Sequence, residues 1–223
     1  MGLIAKIANY LRGSIEKEEA GEYSGGFLCH KVRKKTASLI KEDGRLLDVG
    51  AGEGLLLRAL QGEDSKLIYA IDFDSGLLRK AIERFRDKRT SFILGDGRYL
   101  PFKDEVFDEV TLLNLLMNIP DINTVSLILK EAFRVCSIGG RVIFDYRNTM
   151  NPWIFLSYKT AFLHDPDIKV PLRAFTKREV RHLLQSIGIR DAVYHPIPEW
   201  LRVNSPVYLV EAYKFCRTLK GME

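Results

Sequence analysis

The chain has 223 residues, a formal net charge of +5, and 46% hydrophobic and 28% charged residues, which excludes a disordered or collagen-like polymer and allows a full core. Cys29, Cys136 and Cys216 lack C-x-x-C spacing, so neither a disulfide framework nor a metal site is expected, and a reducing, cytoplasmic setting follows. No apolar run approaches the roughly 18 residues of a spanning helix.

In chain order, residues 2–12 form a weak amphipathic helix with Leu3, Ile4, Ile7 and Leu11 on one face. It can pack within the protein, which is favoured, on a second subunit, or as a peripheral contact on a membrane surface. A glycine-flanked loop carrying Tyr23 precedes a helix over Cys29–Lys41. The basic cluster Lys31–Lys35 on that helix reads as a solvated face, because the other basic residues are scattered, and no nucleic-acid partner is expected. Strand one spans Arg45–Val49 and runs into Gly50-Ala51-Gly52-Glu53-Gly54, after which a helix extends to about Gln61. Strand two is Leu67–Ile71, and Asp74 caps a helix reaching about Arg86. Strand three is Ser91–Leu94, strand four Glu109–Leu113, and a helix covers Ile122–Val135. Cys136–Gly140 is a helix stop, and strand five is Arg141–Tyr146. Residues 148–173 break the pattern with three prolines and the aromatic group Trp153, Phe155, Tyr158 and Phe162. Thr176 caps a helix over Lys177–Ile187 with Glu179 at capping-box spacing, and Gly188 ends it. Strands at Arg190–His195 and Val207–Tyr213 complete the chain. Alternating strands and helices predict an α/β fold, a Rossmann-like doubly wound parallel sheet with helices on both faces. The length favours one domain: a helical cap over 1–44, a ligand-binding core over 45–147, a lid over 148–175, and a C-terminal helix with strands over 176–223.

The strand–turn–helix at Asp48–Gly54 is built to receive a nucleotide-like ligand. The dinucleotide fingerprint G-x-G-x-x-G places its third glycine where Leu55 stands, and a P-loop needs a lysine that Gly54-Leu55-Leu56 does not supply. Asp48 before the turn repels phosphate and suits a cation. At the next strand ends, Asp72 can accept both ribose hydroxyls, Phe73 can pack on a base, and Asp96 between Gly95 and Gly97 can accept from an exocyclic amine.

Taken together, Asp48-x-Gly50-x-Gly52-x-Gly54, Asp72, Gly95-Asp96-Gly97-x-x-Leu100-Pro101-Phe102, Phe107-Asp108-Glu109-Val110 and Gly139-Gly140 resemble the type 11 family of class I S-adenosylmethionine (SAM)-dependent methyltransferases through about residue 147. The resemblance implies a seven-stranded sheet whose last strand is antiparallel and inserted beside the sixth. It implies SAM as cofactor and S-adenosylhomocysteine as product. Asp48 with Gly50, Ala51, Gly52 and Gly54 would hold the methionine end, and Asp72 the ribose. Asp96 with Gly97 would hold adenine, and the backbone of Leu113 and Asn114 would lie below the cofactor. Many relatives carry histidines where this chain has Met117-Asn118, and nucleic-acid-methylating relatives carry a proline pair that Asn114-Leu115-Leu116-Met117 lacks.

The cofactor supplies the reactive group, so the protein mainly orients the reactants, and a base is needed only if the acceptor must lose a proton. Candidates near the acceptor are Asn114, Asn118, Tyr146, Asn148 and His164. His164 also reads as part of an ordinary turn before Pro166. The aromatic segment fits an apolar small-molecule acceptor, lipidic or quinone-like, with residues 153–162 as a second possible membrane contact. It fits a core or dimer face equally, so monomer and homodimer both stand. A protein that binds the cofactor or a partner without catalysis is the alternative reading.

Overall fold

Short runs of leucine, valine and isoleucine, buried on both sides, form the middle of a seven-stranded sheet. The computed structural model describes residues 26–60, 66–85, 89–156 and 172–215. In chain order the elements are α1 (Gly26–Ala37), β1 (Arg45–Val49), α2 (Leu55–Ala59), β2 (Leu67–Asp72), α3 (Ser75–Arg84), β3 (Thr90–Leu94), β4 (Phe107–Leu112), α4 (Ile122–Val135), β5 (Cys136–Arg147), α5 (Lys177–Ser186), β6 (Ala192–Ile197) and β7 (Val207–Tyr213). Short 3-10 turns occupy Leu116–Asn118 and Glu199–Asn204.

The strand order is β3-β2-β1-β4-β5-β7-β6. The first five strands pair in parallel, and β7 runs antiparallel between β5 and β6. The order reverses between β1 and β4, so the crevice that receives ligands in such sheets opens at their carboxyl ends. Alternating side chains separate two layers. Leu47, Val49, Val110, Val142 and Phe144 share one core with Val125, Ile128 and Leu129 of α4 and Val180 and Leu184 of α5. Leu46, Ile68, Ala70, Ile143 and Leu209 share the other with Val32 of α1 and Leu56 and Leu57 of α2.

Local chemistry fixes the helix starts. The Asp74 carboxylate accepts from the Gly76 and Leu77 amides, Asp121 does the same for Asn123 and Thr124, and Thr176 with Glu179 forms a complete capping box.

Several observed boundaries differ from those expected. The first helix stops at Ala37 rather than Lys41, because the Lys41 amide turns to the Glu109 carboxylate (3.2 Å) instead of a helical carbonyl. Cys136–Gly140 stops the helix as expected, but it also forms the start of β5, which was expected only from Arg141. The helix cap at Cys136 is already extended (φ −70°, ψ 135°), and Cys136 pairs with Phe107 before the register shifts to Glu109–Arg141. The sixth strand begins and ends two residues later than expected, over Ala192–Ile197.

Beneath α1, Glu109 is fully buried between Lys66 Nζ at 2.9 Å and the Arg141 guanidinium, and Arg141 continues to Glu211. His195 closes the row on Glu211 at 2.6 Å. These charges lie toward the amino ends of β4 and β5, away from the ligand crevice. Their pairing satisfies groups that would be costly to bury alone. Among the described residues, no helix is long and apolar enough to cross a membrane.

Candidate functional site

The turn after β1 is left-handed at three places, with φ of 75° at Gly50, 54° at Gly52 and 76° at Gly54. Two of these show different constraints. A Cβ on Gly54 would lie 2.7 Å from Phe85 Cε2, so this position is set by packing against the end of α3. A Cβ on Gly52 would meet nothing within 4 Å, so its outer side opens on space available to a ligand. The Gly50 and Ala51 amides both donate to the Ile71 carbonyl, at 2.8 and 3.1 Å, which holds the turn against β2.

Asp72 ends β2 and is buried. Its Oδ2 accepts the Gly52 amide at 2.7 Å and its Oδ1 the Asp74 amide at 2.9 Å. A carboxylate has about four acceptor positions, so two remain for hydroxyl donors. Asp48 is buried beside it, with Oδ1 accepting the Thr111 hydroxyl at 2.7 Å. Burial pushes the Asp48 carboxyl up to about 7; the Thr111 bond opposes this and the Asp72 charge adds to it. Phe73, the next residue after Asp72, is 78% exposed.

At the end of β3, Asp96 is partly exposed. Bonds from the Arg98 guanidinium (2.6 and 2.9 Å to Oδ2) and the Arg98 amide (2.8 Å) hold its carboxyl below the usual range. Gly95 and Gly97 back onto Ile71 and Val49, so this loop lies against β1 and β2.

The acceptor-side candidates separate. Leu113 is buried, and Asn114 follows it in a left-handed conformation (φ 55°). Asn118 is exposed, and its Nδ2 donates to the Asn114 carbonyl at 2.9 Å. Tyr146 has no exposed surface: it stacks on Tyr208 at 5.5 Å and meets Phe175 edge-on, so here it is core, with its hydroxyl unpartnered. Asn148 is spent on structure, donating to the Ser205 and Val203 carbonyls and accepting from Met150. His164 and Tyr23 lie outside the described residues, as do residues 1–25 and most of the expected lid.

Sequence reasoning missed two features. Glu53, inside the glycine turn, is buried and paired with Arg84 at 3.2 Å and Lys80 at 3.8 Å, which ties the turn to α3. Asp145 and Arg147 flank Tyr146 on the opposite face of β5 and form a buried ion pair at 2.6 Å. Strand alternation around Tyr146 was the available signal, since both neighbours of an inward residue at a strand end share the other face.

Residues 47–144 match the family model described as "Methyltransferase domain". The match covers somewhat less than half of the chain and is a likeness to the type 11 methyltransferase family. The chain is 35% identical over 164 residues to a demethylmenaquinone methyltransferase of Roseiflexus castenholzii, a match covering 73% of this chain and 62% of that protein. A demethylmenaquinone methyltransferase of Bacillus mycoides is 36% identical over 126 residues, 52% of each. The chain therefore spans less than two thirds of these relatives' lengths. A SAM-dependent methyltransferase structure from Methanosarcina mazei superposes with a TM-score of 0.63 at 22% identity, covering 82% of this chain and 98% of that one.

The family's cofactor is SAM, and the residues present fit it. The nucleoside's hydroxyls, amines and positive charges call for acceptors and anions. The crevice offers Asp48, Asp72 and Asp96 around an open glycine turn, and the cationic residues near it, Lys80, Arg84 and Arg98, are paired with carboxylates.

The two glycines predict different failures. Gly54→Ala, strained in φ and pressed on Phe85, will lower the thermal midpoint by roughly 5 °C or more. Gly52→Ala will shift it by only a few degrees yet weaken SAM binding at least about tenfold. Scanning calorimetry and titration calorimetry on both variants read the two effects separately.

Proposed function

We propose that this chain transfers the methyl group of SAM to a small, largely apolar acceptor of quinone-like chemistry. The observation that carries the reading is the set of three carboxylates at successive strand ends around an open left-handed glycine turn, an arrangement suited to a cationic nucleoside without phosphate. In this reading Asp48 faces the ammonium group, while the Gly50–Gly54 turn lies against the methionine part. The free acceptor positions of Asp72 take the ribose hydroxyls, and Phe73 covers one adenine face. Asp96 and the Gly97 amide meet the adenine edge, with Gly95 allowing close approach. The backbone at Leu113 and Asn114 forms the floor.

SAM supplies a methyl group made electrophilic by its positively charged sulfur. The protein's part is to hold donor and acceptor in line, which can be worth about 7–11 kcal/mol of barrier, and to keep water out. Support for the acceptor class is twofold. The relatives named above are demethylmenaquinone methyltransferases. The loops at the same end of the sheet also expose Met150, Trp153, Phe155, Leu156, Trp200 and Val203. Bonds from Asn148 to Val203 and from Asn151 to Asn204 join those loops into one apolar rim, a fitting mouth for a water-insoluble acceptor.

Incubation with isotopically labelled SAM and either a cell extract or a reduced naphthoquinone will move label into an organic-extractable product. SAM binding without transfer to any extract would favour binding without catalysis.

The Asp48 assignment also has a pH signature. Its folded pKa is raised from the ordinary carboxylate value to about 7, so the protonated form is favoured in the free protein. This group's contribution to stability is therefore lost as pH rises from about 4 to about 7. A bound ammonium favours the ionised form. SAM affinity will thus climb as pH rises toward 7, by up to about tenfold per unit, and flatten above it. Asp48→Asn will bind more weakly and show no such climb in calorimetric titrations between pH 5.5 and 8.5.

A further inference from the structure

The buried Asp145–Arg147 pair does more than fill the core. Asn114 Oδ1 accepts from Arg147 Nη2 at 3.1 Å, and the Asn114 amide donates to Asp145 Oδ1 at 2.5 Å. Its carbonyl is taken by Asn118 Nδ2 at 2.9 Å. Arg147 is itself anchored, with Nη1 on Asp145 Oδ2 at 2.6 Å and Nη2 on Cys29 Sγ of α1 at 2.9 Å. The left-handed backbone at Asn114 (φ 55°) is thus held from both sides, a strained state of the kind that persists where the surroundings over-determine it.

This wiring settles the direction of the Asn114 side chain. A guanidinium has donors and no acceptor, so only the amide oxygen can face it. The Asn114 Nδ2 group is therefore turned away from the ion pair and makes no hydrogen bond with any described residue. It stands at the carboxyl end of β4. In the β1–β4 register Asp48 pairs with Thr111, three residues before Asn114. The next side chain, Leu115, packs on the glycine turn, where a Cβ on Gly50 would lie 3.0 Å from Leu115 Cδ1. The unused donor is therefore beside the cofactor crevice.

We propose that Asn114 Nδ2 binds an oxygen of the acceptor, and that Asp145 and Arg147 are positioning residues that fix this donor. This rests on the methyltransferase reading and narrows it. The acceptor carries a hydroxyl or enol-type oxygen near the methylated atom, and a fixed donor there stabilises the oxyanion formed when its proton passes to solvent. Asn114 is then the residue that selects oxygen-bearing rings over hydrocarbon ones, since a site built around a hydrogen bond rejects partners lacking it.

The test uses the full chain, labelled SAM and 1,4-dihydroxynaphthalene as probe acceptor. Asn114→Asp keeps the oxygen on Arg147 and replaces the donor by an acceptor. Asn114→Gly keeps the left-handed backbone and deletes the amide, which guards against a folding defect in the first variant. Both are expected to bind SAM within about threefold of wild type while kcat/KM for the probe falls about 30-fold or more. The rising limb of the kcat/KM–pH profile will move to higher pH, which a purely structural role would not cause. Arg147→Met is expected to lose activity in the same direction, non-additively with Asn114→Gly.

Retained kcat/KM in both Asn114 variants overturns the proposal, as does an equal loss of SAM affinity. If wild type binds SAM but does not methylate the probe, the proposed acceptor chemistry is overturned while cofactor binding stands. If wild type does not bind SAM, the underlying methyltransferase reading fails instead.

Discussion

The Asp72 carboxylate bonds the Gly52 amide with one oxygen and the Asp74 amide with the other. Those two bonds join the end of β2 to the glycine turn after β1 and to the start of α3. The turn's one polar side chain is Glu53, which is paired to α3. Its left-handed backbone is stable because Asp72, the Ile71 carbonyl and Phe85 define it from three directions. The same carboxylate keeps two acceptor positions for a ligand. In the proposed reading one residue both organises the loop and offers the binding group, so the shape of the turn and its charge are coupled.

The parts of the fold readable in the sequence were those where local chemistry and hydrophobic period agree. β1, α4 and β7 fell at their expected limits, and Asp74 and Thr176 cap helices through ordinary side-chain-to-amide bonds. Errors came where tertiary partners decide. Lys41 left its helix for Glu109, and Cys136–Gly140 joined β5 because a neighbouring strand was there to pair with it. At the site, glycine spacing and the acidic strand ends were legible, since their types and intervals carry the chemistry. The Asp145–Arg147–Asn114 clamp was not. It links the ends of two strands and α1, and strand alternation shows only that Asp145 and Arg147 share a face, not that they close on Asn114 and Cys29.

One face of the sheet carries two rows of polar groups at different heights. The lower row, Lys66, Glu109, Arg141, Glu211 and His195, is closed on itself and structural. The upper row, Asp48, Asp72, Asp145 and Arg147, lies toward the carboxyl ends of the strands, where Asp72 keeps acceptor capacity beyond its two amide bonds. This difference separates a network that holds the fold from the one we propose meets a ligand. It also explains why Asp48 sits near neutrality: it is buried next to another carboxylate, with only a hydroxyl to compensate it.

The central claim is that the crevice is built for a cationic, phosphate-free nucleoside. Calorimetric titration of the full chain with SAM and, separately, with NADH, above the pH at which Asp48 ionises, tests it most directly. The account predicts saturable SAM binding and no heat of binding with NADH. Binding of NADH without binding of SAM would contradict it.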